Sequence, residues 1–117
     1  MLLADYVMRW IERPGYFAVT STITMTELLA RPYVVLDEET VDRMKEYLLD
    51  YPNLEWIPAD IKIADLAGRF RAEYRLKTPD ALQAATAVVA GATGMITNDA
   101  IFERIPDFET LVLEKLL

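Results

Sequence analysis

The chain has 117 residues and a mass of 13.4 kDa, the usual size of one domain with its own hydrophobic core. Its hydrophobic content of 53% and charged content of 26% exclude a disordered or low-complexity protein. The absence of cysteine and histidine excludes disulfides, thiol catalysis, zinc sites and imidazole-based triads. Metal chemistry in this chain must therefore use carboxylates, which favour Mg²⁺ or Mn²⁺.

The net charge of −7 disfavours nonspecific binding to duplex nucleic acid unless the basic residues cluster. An anionic substrate would require a divalent cation to reverse the local field. No apolar run approaches the 18 residues of a membrane span, and the charged start is too short for a signal peptide. We therefore expect a cytoplasmic protein that does not cross a membrane.

Strands and helices alternate along the chain. Apolar spacing and turn residues predict strands at 17–20, 54–57, 95–97 and 111–113, and helices at 2–11, 24–31, 39–51, 61–74, 78–90 and 98–104. The helix over 61–74 is expected to bury Ile61, Ala64, Leu66, Ala67 and Phe70. This alternation predicts an α/β fold with a parallel sheet covered by helices on both faces.

Three acidic residues stand where predicted strands lead into helices or where a helix begins: Glu27, Asp80 and Asp99. Each has a structural explanation. With Thr24 as N-cap, Glu27 completes a capping box, and with Thr78 as N-cap, Asp80 complements the helix dipole. Asp99 can cap its own short helix.

The joint pattern favours a different interpretation of these acids. Parallel strands place their carboxyl ends along one edge of a sheet, so the three carboxylates are expected to converge there. Converging carboxylates repel, and a divalent metal ion removes that penalty. Metal-assisted phosphodiester hydrolysis needs neither histidine nor cysteine, because the metal lowers the pKa of the attacking water.

Three segments resemble conserved segments of PIN domains, and together with their order they cover nearly the whole chain. The strand-to-helix segment is VTSTITMTELL at 19–29, the helix is TPDALQAATA at 78–87, and the third segment is TND at 97–99 followed by Phe102. The nearest type is VapC, the toxin of bacterial and archaeal toxin–antitoxin pairs and a Mg²⁺-dependent ribonuclease. Glu27, Asp80 and Asp99 match three of the four acidic positions of the family.

The resemblance implies a single PIN-like domain over residues 1–117, with a three-layer α/β fold. It further implies an endoribonuclease that uses Mg²⁺ or Mn²⁺ held by Glu27, Asp80 and Asp99 as metal ligands and catalytic residues. The implied partners are an RNA substrate, a cognate antitoxin and a second copy in a homodimer.

The sequence departs from the family pattern at its start. PIN domains begin with a central strand that ends in Asp, and the sequence shows no such segment before the helix at 2–11. The chain is therefore expected to be either a truncated or a degenerate PIN domain, and a weak nuclease or an inactive one. Without that strand, a groove should run between the strands at 17–20 and 95–97, and an isolated monomer should be marginally stable.

Further residues are candidates for supporting roles. Thr97 and Ser21, at strand ends, either assist the site or simply pack. Four basic residues precede Asp80 and either complement a helix end or form a phosphate-binding rim: Arg69, Arg71, Arg75 and Lys77.

Three functions stay open from the sequence. The first is the metal-dependent ribonuclease, and the second is a PIN-like module that acts only by protein binding, through an antitoxin or self-association. The third is an unrelated α/β domain in which all three acids are helix caps. Substitution of each acid by Asn separates the third from the others, since caps accept Asn and metal ligands generally do not.

Overall fold

The computed structural model describes residue 9 and residues 11–116. The helix predicted at 2–11 therefore lies almost entirely outside the described residues, although residues 9 and 11 are helical. In the part of the chain that is described, no helix is long and apolar enough to span a membrane.

From residue 18 to residue 116 the chain forms four strands, four α-helices and two short 3₁₀ helices. The strands are β1 (Ala18–Ser21), β2 (Leu54–Ile57), β3 (Gly94–Thr97) and β4 (Glu109–Val112). The α-helices are α1 (Thr22–Val35), α2 (Glu38–Leu49), α3 (Ile61–Tyr74) and α4 (Thr78–Val89). The 3₁₀ helices are Ala100–Arg104 and Leu113–Leu116, so Leu113 begins a helical turn where the sequence predicts strand.

Helix α1 departs most from its predicted bounds. It begins two residues earlier than expected, because the Ser21 hydroxyl accepts a hydrogen bond from the backbone N–H of Ile23 and caps the helix there. It also continues through Pro32 to Val35, so the predicted stop near Pro32 is wrong. The carbonyl left without a helical donor belongs to Leu28, an exposed residue whose backbone water can reach.

The cap of α1 provides a test of the local fold. Ser21→Ala is expected to lower the free energy of unfolding by about 1 kcal/mol, the usual loss for a removed N-cap. Ser21 is fully buried, whereas the next residue, Thr22, is exposed, so Thr22→Ala serves as the control. Urea unfolding followed by circular dichroism measures both. An equal effect of the two substitutions would contradict the role of Ser21 as cap.

The four strands form two separate parallel pairs. β1 pairs with β2, with Ala18 opposite Leu54, and β3 pairs with β4, with Gly94 opposite Glu109. Within the described residues, each sheet therefore has two strands, and β1 and β3 are not hydrogen-bonded to each other.

Residues just beyond β1 and β3 both interact with the first half of α4. Gln83, in the first half of α4, donates from Nε2 to Thr24 Oγ1, just beyond the end of β1, at 2.6 Å. Asp99, just beyond the end of β3, acts electrostatically on Asp80 at the start of α4. The carboxyl ends of the two strands thus lie on the side of the first half of α4.

Helices cover both faces of the first sheet. Trp56 of β2 donates from Nε1 to the carbonyl of Leu48 in α2, at 3.0 Å. The next residue, Ile57, packs against the core that α3 and α4 form. Because successive strand residues point to opposite faces, α2 lies on one face and the α3–α4 pair on the other.

The core is built mainly where α3 meets α4. Ile63, Ala67 and Phe70 form the buried stripe of α3, at the spacing of one helix face. They pack against alanines of α4 that are fully inaccessible, Ala81, Ala84 and Ala85. Small side chains on α4 let the two helices approach closely. The prediction that Ile61 and Ala64 are also buried is wrong: α4 covers only the narrower stripe, and Ile61 is 86% exposed.

Candidate metal site in the central groove

A groove of about 1030 Å³ separates β1 from β3, and we call it the central groove. One wall is β1, the other is β3, and residues of α4 that include Gln83, Thr86 and Ala87 also line it. The structure therefore has the groove that the sequence predicts between these two strands.

All three candidate acids line the central groove. Asp80 is the third residue of α4, Asp99 is the residue before the first 3₁₀ helix, and Glu27 is the sixth residue of α1. Asp80 lies in the first turn of α4, and Asp99 lies just after β3, so both are at the carboxyl end of the groove. Glu27 is exposed and stands more than one helical turn into α1.

Asp80 and Asp99 are electrostatically coupled. Desolvation raises the pKa of Asp80, and the negative charge of Asp99 raises it further, while the nearby Lys77 ammonium partly lowers it. The net rise means that Asp80 is held in a setting that disfavours its charged form, in spite of its place at a helix N-terminus, where a negative charge is normally stabilised. A carboxylate in this setting gains from a nearby cation.

No set of three acidic side chains within the described residues is grouped closely enough to hold one metal ion. The expected convergence of Glu27, Asp80 and Asp99 on one metal ion is therefore not found: only Asp80 and Asp99 interact electrostatically, and Glu27 lines the same groove. Two carboxylates fit Mg²⁺ or Mn²⁺, because Mg²⁺ usually binds one or two protein carboxylates and completes its shell with water and substrate phosphate.

The helix N-caps next to these acids differ from those that the sequence predicts. Because α1 starts at Thr22, Glu27 lies beyond its third position and does not form a capping box with Thr24. Lys77 is the N-cap residue of α4 and makes no side-chain cap, so Thr78 is not the N-cap. Asp99 does cap the 3₁₀ helix, since its Oδ1 accepts from the N–H of Ile101 at 2.9 Å. A carboxylate has about four lone-pair sites, so this cap leaves Asp99 able to accept further contacts.

The two supporting candidates have defined contacts. Thr97 Oγ1 accepts a hydrogen bond from the backbone N–H of Asp99 at 3.1 Å and so fixes the turn that carries Asp99. Ser21 is fully buried and caps α1. Thr97 is thus tied to the acid pair, whereas the observed contact of Ser21 is structural.

The sequence analysis missed a set of hydrogen-bonded polar side chains near the acids. Thr20 Oγ1 and Thr24 Oγ1 share a hydrogen bond of 2.8 Å, and Gln83 donates to Thr24 at 2.6 Å. Gln83 stands three residues after Asp80, which places both on one face of α4. This three-residue spacing is the signal by which the sequence could have identified Gln83 as a neighbour of the site. These two hydrogen bonds link β1, α1 and α4 one turn of helix after Asp80.

The basic candidates occupy the exposed end of α3 and the turn into α4. Arg71 donates to the Leu76 carbonyl and to Thr78 Oγ1, so it braces this turn. Arg75 ends α3 in the left-handed conformation, and Lys77 is close enough to lower the pKa of Asp80. Arg69 is exposed on α3. None of the four lines the central groove. Lys77 is the one of them that acts electrostatically on Asp80.

Known proteins are similar to this chain in sequence pattern and in fold. The family model of the PIN domain matches residues 3–107. Among solved structures, VapBC2 from Rickettsia felis bound to a DNA fragment from its promoter is similar at 21% identity, with a TM-score of 0.71, over 92% of this chain and 82% of that chain. A toxin–antitoxin complex from Klebsiella pneumoniae is similar at 24% identity, with a TM-score of 0.72, over 95% of this chain and 83% of that chain. No relative is found among curated proteins. Because the family model spans most of the chain, this chain belongs to the PIN domain family.

Proposed function

We propose that the chain is a metal-dependent endoribonuclease that serves as the toxin of a toxin–antitoxin pair. The observation that carries the proposal is the coupled pair of Asp80 and Asp99 at the end of a groove in a PIN domain. Two like charges held together in a partly desolvated site are costly, and such sites are more often functional than structural.

Asp80 and Asp99 would hold Mg²⁺ or Mn²⁺, whereas Glu27 lines the same groove outside a shared ligand set. The metal would stabilise the charge of the scissile phosphate and lower the pKa of the attacking water. A chain without histidine or cysteine lacks the nitrogen and sulfur ligands of most zinc sites, which agrees with a hard, oxygen-binding ion.

The residues of the chain itself supply positioning and charge. The Thr97 hydroxyl fixes the backbone of Asp99, and the Gln83–Thr24 hydrogen bond anchors α4 beside β1. Lys77 offsets the negative charge around Asp80. RNA phosphates that leave the site would next meet Arg69, Arg71, Arg75 and Lys77, which form the proposed substrate-binding rim.

An antitoxin and a second copy are the proposed protein partners. The two similar structures are described as VapBC2 and as a toxin–antitoxin complex. A surface on this chain also favours a protein partner, because large apolar residues are exposed at the end of α1, in the following turn and on α2: Tyr33, Val34, Val35, Leu36, Tyr47 and Leu49. We place this activity in the cytoplasm, where the RNA substrate occurs.

A second candidate function is protein binding without cleavage. It is favoured by the absence of any close group of three acids in the described residues, since fewer ligands mean weaker metal affinity. In that case the chain keeps the antitoxin-binding or self-association surface of the family and lacks catalysis.

Metal binding and RNA cleavage measured on the purified chain test the proposal. We expect Mn²⁺ and Mg²⁺ to raise the unfolding temperature. At a metal concentration a hundred times the dissociation constant, the free energy of unfolding should rise by about 2.7 kcal/mol. We expect slow cleavage of a fluorescent single-stranded RNA that EDTA stops. Neither thermal stabilisation by metal nor cleavage, together with capture of an antitoxin, would favour the second function instead.

A further inference from the structure

Arg104 connects the first 3₁₀ helix to the end of α3. It is the last residue of that 3₁₀ helix, and its Nη1 donates to the Tyr74 carbonyl at 3.0 Å. Tyr74 is the last residue of α3, so its carbonyl is one of those that no helical N–H can reach. The contact brings a basic residue that the sequence did not single out to the turn between α3 and α4.

Arg71 is held on the same turn by two hydrogen bonds. Its Nε donates to the Leu76 carbonyl at 3.2 Å, and its Nη1 donates to Thr78 Oγ1 at 2.8 Å. Leu76 follows Tyr74 by two residues, so the Cα atoms of the two residues whose carbonyls hold the arginines are at most about 7 Å apart. We call Arg71 and Arg104 the turn arginines. A guanidinium fixed in this way loses little freedom when it binds a ligand.

The turn arginines keep donors and charge for a ligand. A guanidinium has five N–H donors, of which Arg71 uses two and Arg104 uses one in these contacts. Both residues are exposed. The ion pairs of the described residues involve Arg43, Lys45 and Lys115, so no carboxylate pairs with either turn arginine there. In a chain with a net charge of −7, two fixed cations without an acidic partner favour an anionic ligand.

Both turn arginines are tied to the elements that carry the acid pair. Thr78, which holds Arg71, is the first residue of α4 and precedes Asp80 by two residues, about 3 Å along the helix axis. Asp99 caps the 3₁₀ helix that Arg104 ends, and the two residues are separated by about 10 Å along its axis. A ligand with repeating phosphates can therefore contact the turn arginines and the candidate metal site at once.

The charge near the turn also favours such a polyanion over a single anion. Desolvation raises the pKa of Tyr74, and the charges of Glu73 and Asp107 raise it further, so both carboxylates are near the end of α3. These carboxylates repel any anion that binds there. A nucleic acid strand outweighs this repulsion, because each of its phosphates adds a contact and releases counterions.

We propose that Arg71 and Arg104 bind backbone phosphates of the RNA substrate, so that the strand crosses the turn between α3 and α4 on its way to the acid pair. This role rests on the proposed function, in which RNA is the substrate, and it adds Arg104 to the residues that bind RNA. Arg69, Arg75 and Lys77 contribute less, because no side-chain hydrogen bond within the described residues fixes any of them.

RNA binding without metal tests this role. The full chain in EDTA is titrated against a short fluorescein-labelled oligouridylate, and fluorescence anisotropy follows binding at several salt concentrations. We expect Arg71→Met and Arg104→Met each to weaken binding about fivefold at low salt. Each should also reduce the slope of log K against log salt concentration by about 0.7, the value for one phosphate contact of a single strand.

Two further variants separate phosphate binding from net charge and from folding. Lys62→Met removes the same charge from the exposed start of α3, about 18 Å along the axis from Tyr74, and should change neither the affinity nor the slope. Arg104→Lys keeps the charge and loses the planar fork, so the slope should be retained while the affinity falls. Circular dichroism and thermal unfolding show whether each variant folds, and Arg104→Lys decides the role of this residue if Arg104→Met does not fold.

Several outcomes would overturn this role. An Arg104→Met variant that unfolds more easily but binds RNA with an unchanged salt slope would show that Arg104 only caps α3. Equal weakening by Lys62→Met would reduce the effect to net charge, and no binding of RNA by the unsubstituted chain in EDTA would exclude the site. In Mg²⁺, cleavage with an unchanged KM in both arginine variants would remove this role and leave the proposed nuclease intact. Arginine-dependent binding without any cleavage would instead support this role and contradict the nuclease alone.

Discussion

Asp80→Asn is expected to remove metal-dependent stabilisation and to slow RNA cleavage strongly, while making the metal-free protein more stable. The two effects have one cause, because Asp80 is partly desolvated and the negative charge of Asp99 acts on it. The loss of one of the two proposed metal ligands is expected to cost about 3 kcal/mol of transition-state stabilisation, which lowers the cleavage rate about a hundred-fold. The rate of cleavage in Mg²⁺ and the Mn²⁺-induced shift in unfolding temperature measure this effect.

The gain in stability depends on pH. The raised pKa of Asp80 means that the folded chain keeps this proton at pH values where the unfolded chain, with a pKa near 3.8, has released it. The stability of the metal-free protein should therefore fall as the pH rises through the pKa of Asp80, and Asp80→Asn should reduce this fall. The favourable effect of an acid at the N-terminus of α4 acts in the opposite direction, but the net rise in pKa shows that it is the smaller effect.

Asp65→Asn is the control for this prediction. Asp65 is an exposed carboxylate of α3 that does not line the central groove, so its substitution should change neither metal response nor cleavage. Equal loss of metal response in Asp65→Asn would point to a general charge effect. A metal response that survives Asp80→Asn would contradict the proposed site.

Ile63→Ala is expected to lower the free energy of unfolding by about 2–5 kcal/mol, through lost burial and the cavity that it leaves. Ile63 is 1% exposed and belongs to the core between α3 and α4. A loss of this size is a large share of the roughly 5–15 kcal/mol that stabilises a small domain. Urea unfolding measures it, with circular dichroism to show whether the variant still folds at 25 °C.

The same helix offers a matched control. Ile61 differs from Ile63 by two positions and is 86% exposed, so Ile61→Ala should change the free energy of unfolding by about 0.5 kcal/mol or less. The sequence treats both positions as apolar residues of one helix. A similar loss in both variants would mean that the helix buries a broader face than the structure shows.

The sequence by itself determined most of the elements. Apart from α1 and the second 3₁₀ helix, which the sequence did not predict, each element from residue 18 onward begins and ends within two residues of its predicted bounds. Local signals set these bounds: Asp37 and Asp60 cap helices, and apolar runs mark strands. The groove between β1 and β3 was also predicted from the sequence, through its resemblance to PIN domains.

The tertiary structure decided which faces and which acids come together. Ile61 and Ile63 have the same side chain on one helix, and only the position of α4 buries the second. Asp99 acts electrostatically on Asp80, although the two residues are 19 positions apart in the chain. The Gln83–Thr24 hydrogen bond joins residues 59 positions apart. Periodicity and capping describe interactions within a few residues, whereas contacts at such separations depend on the packing of whole elements.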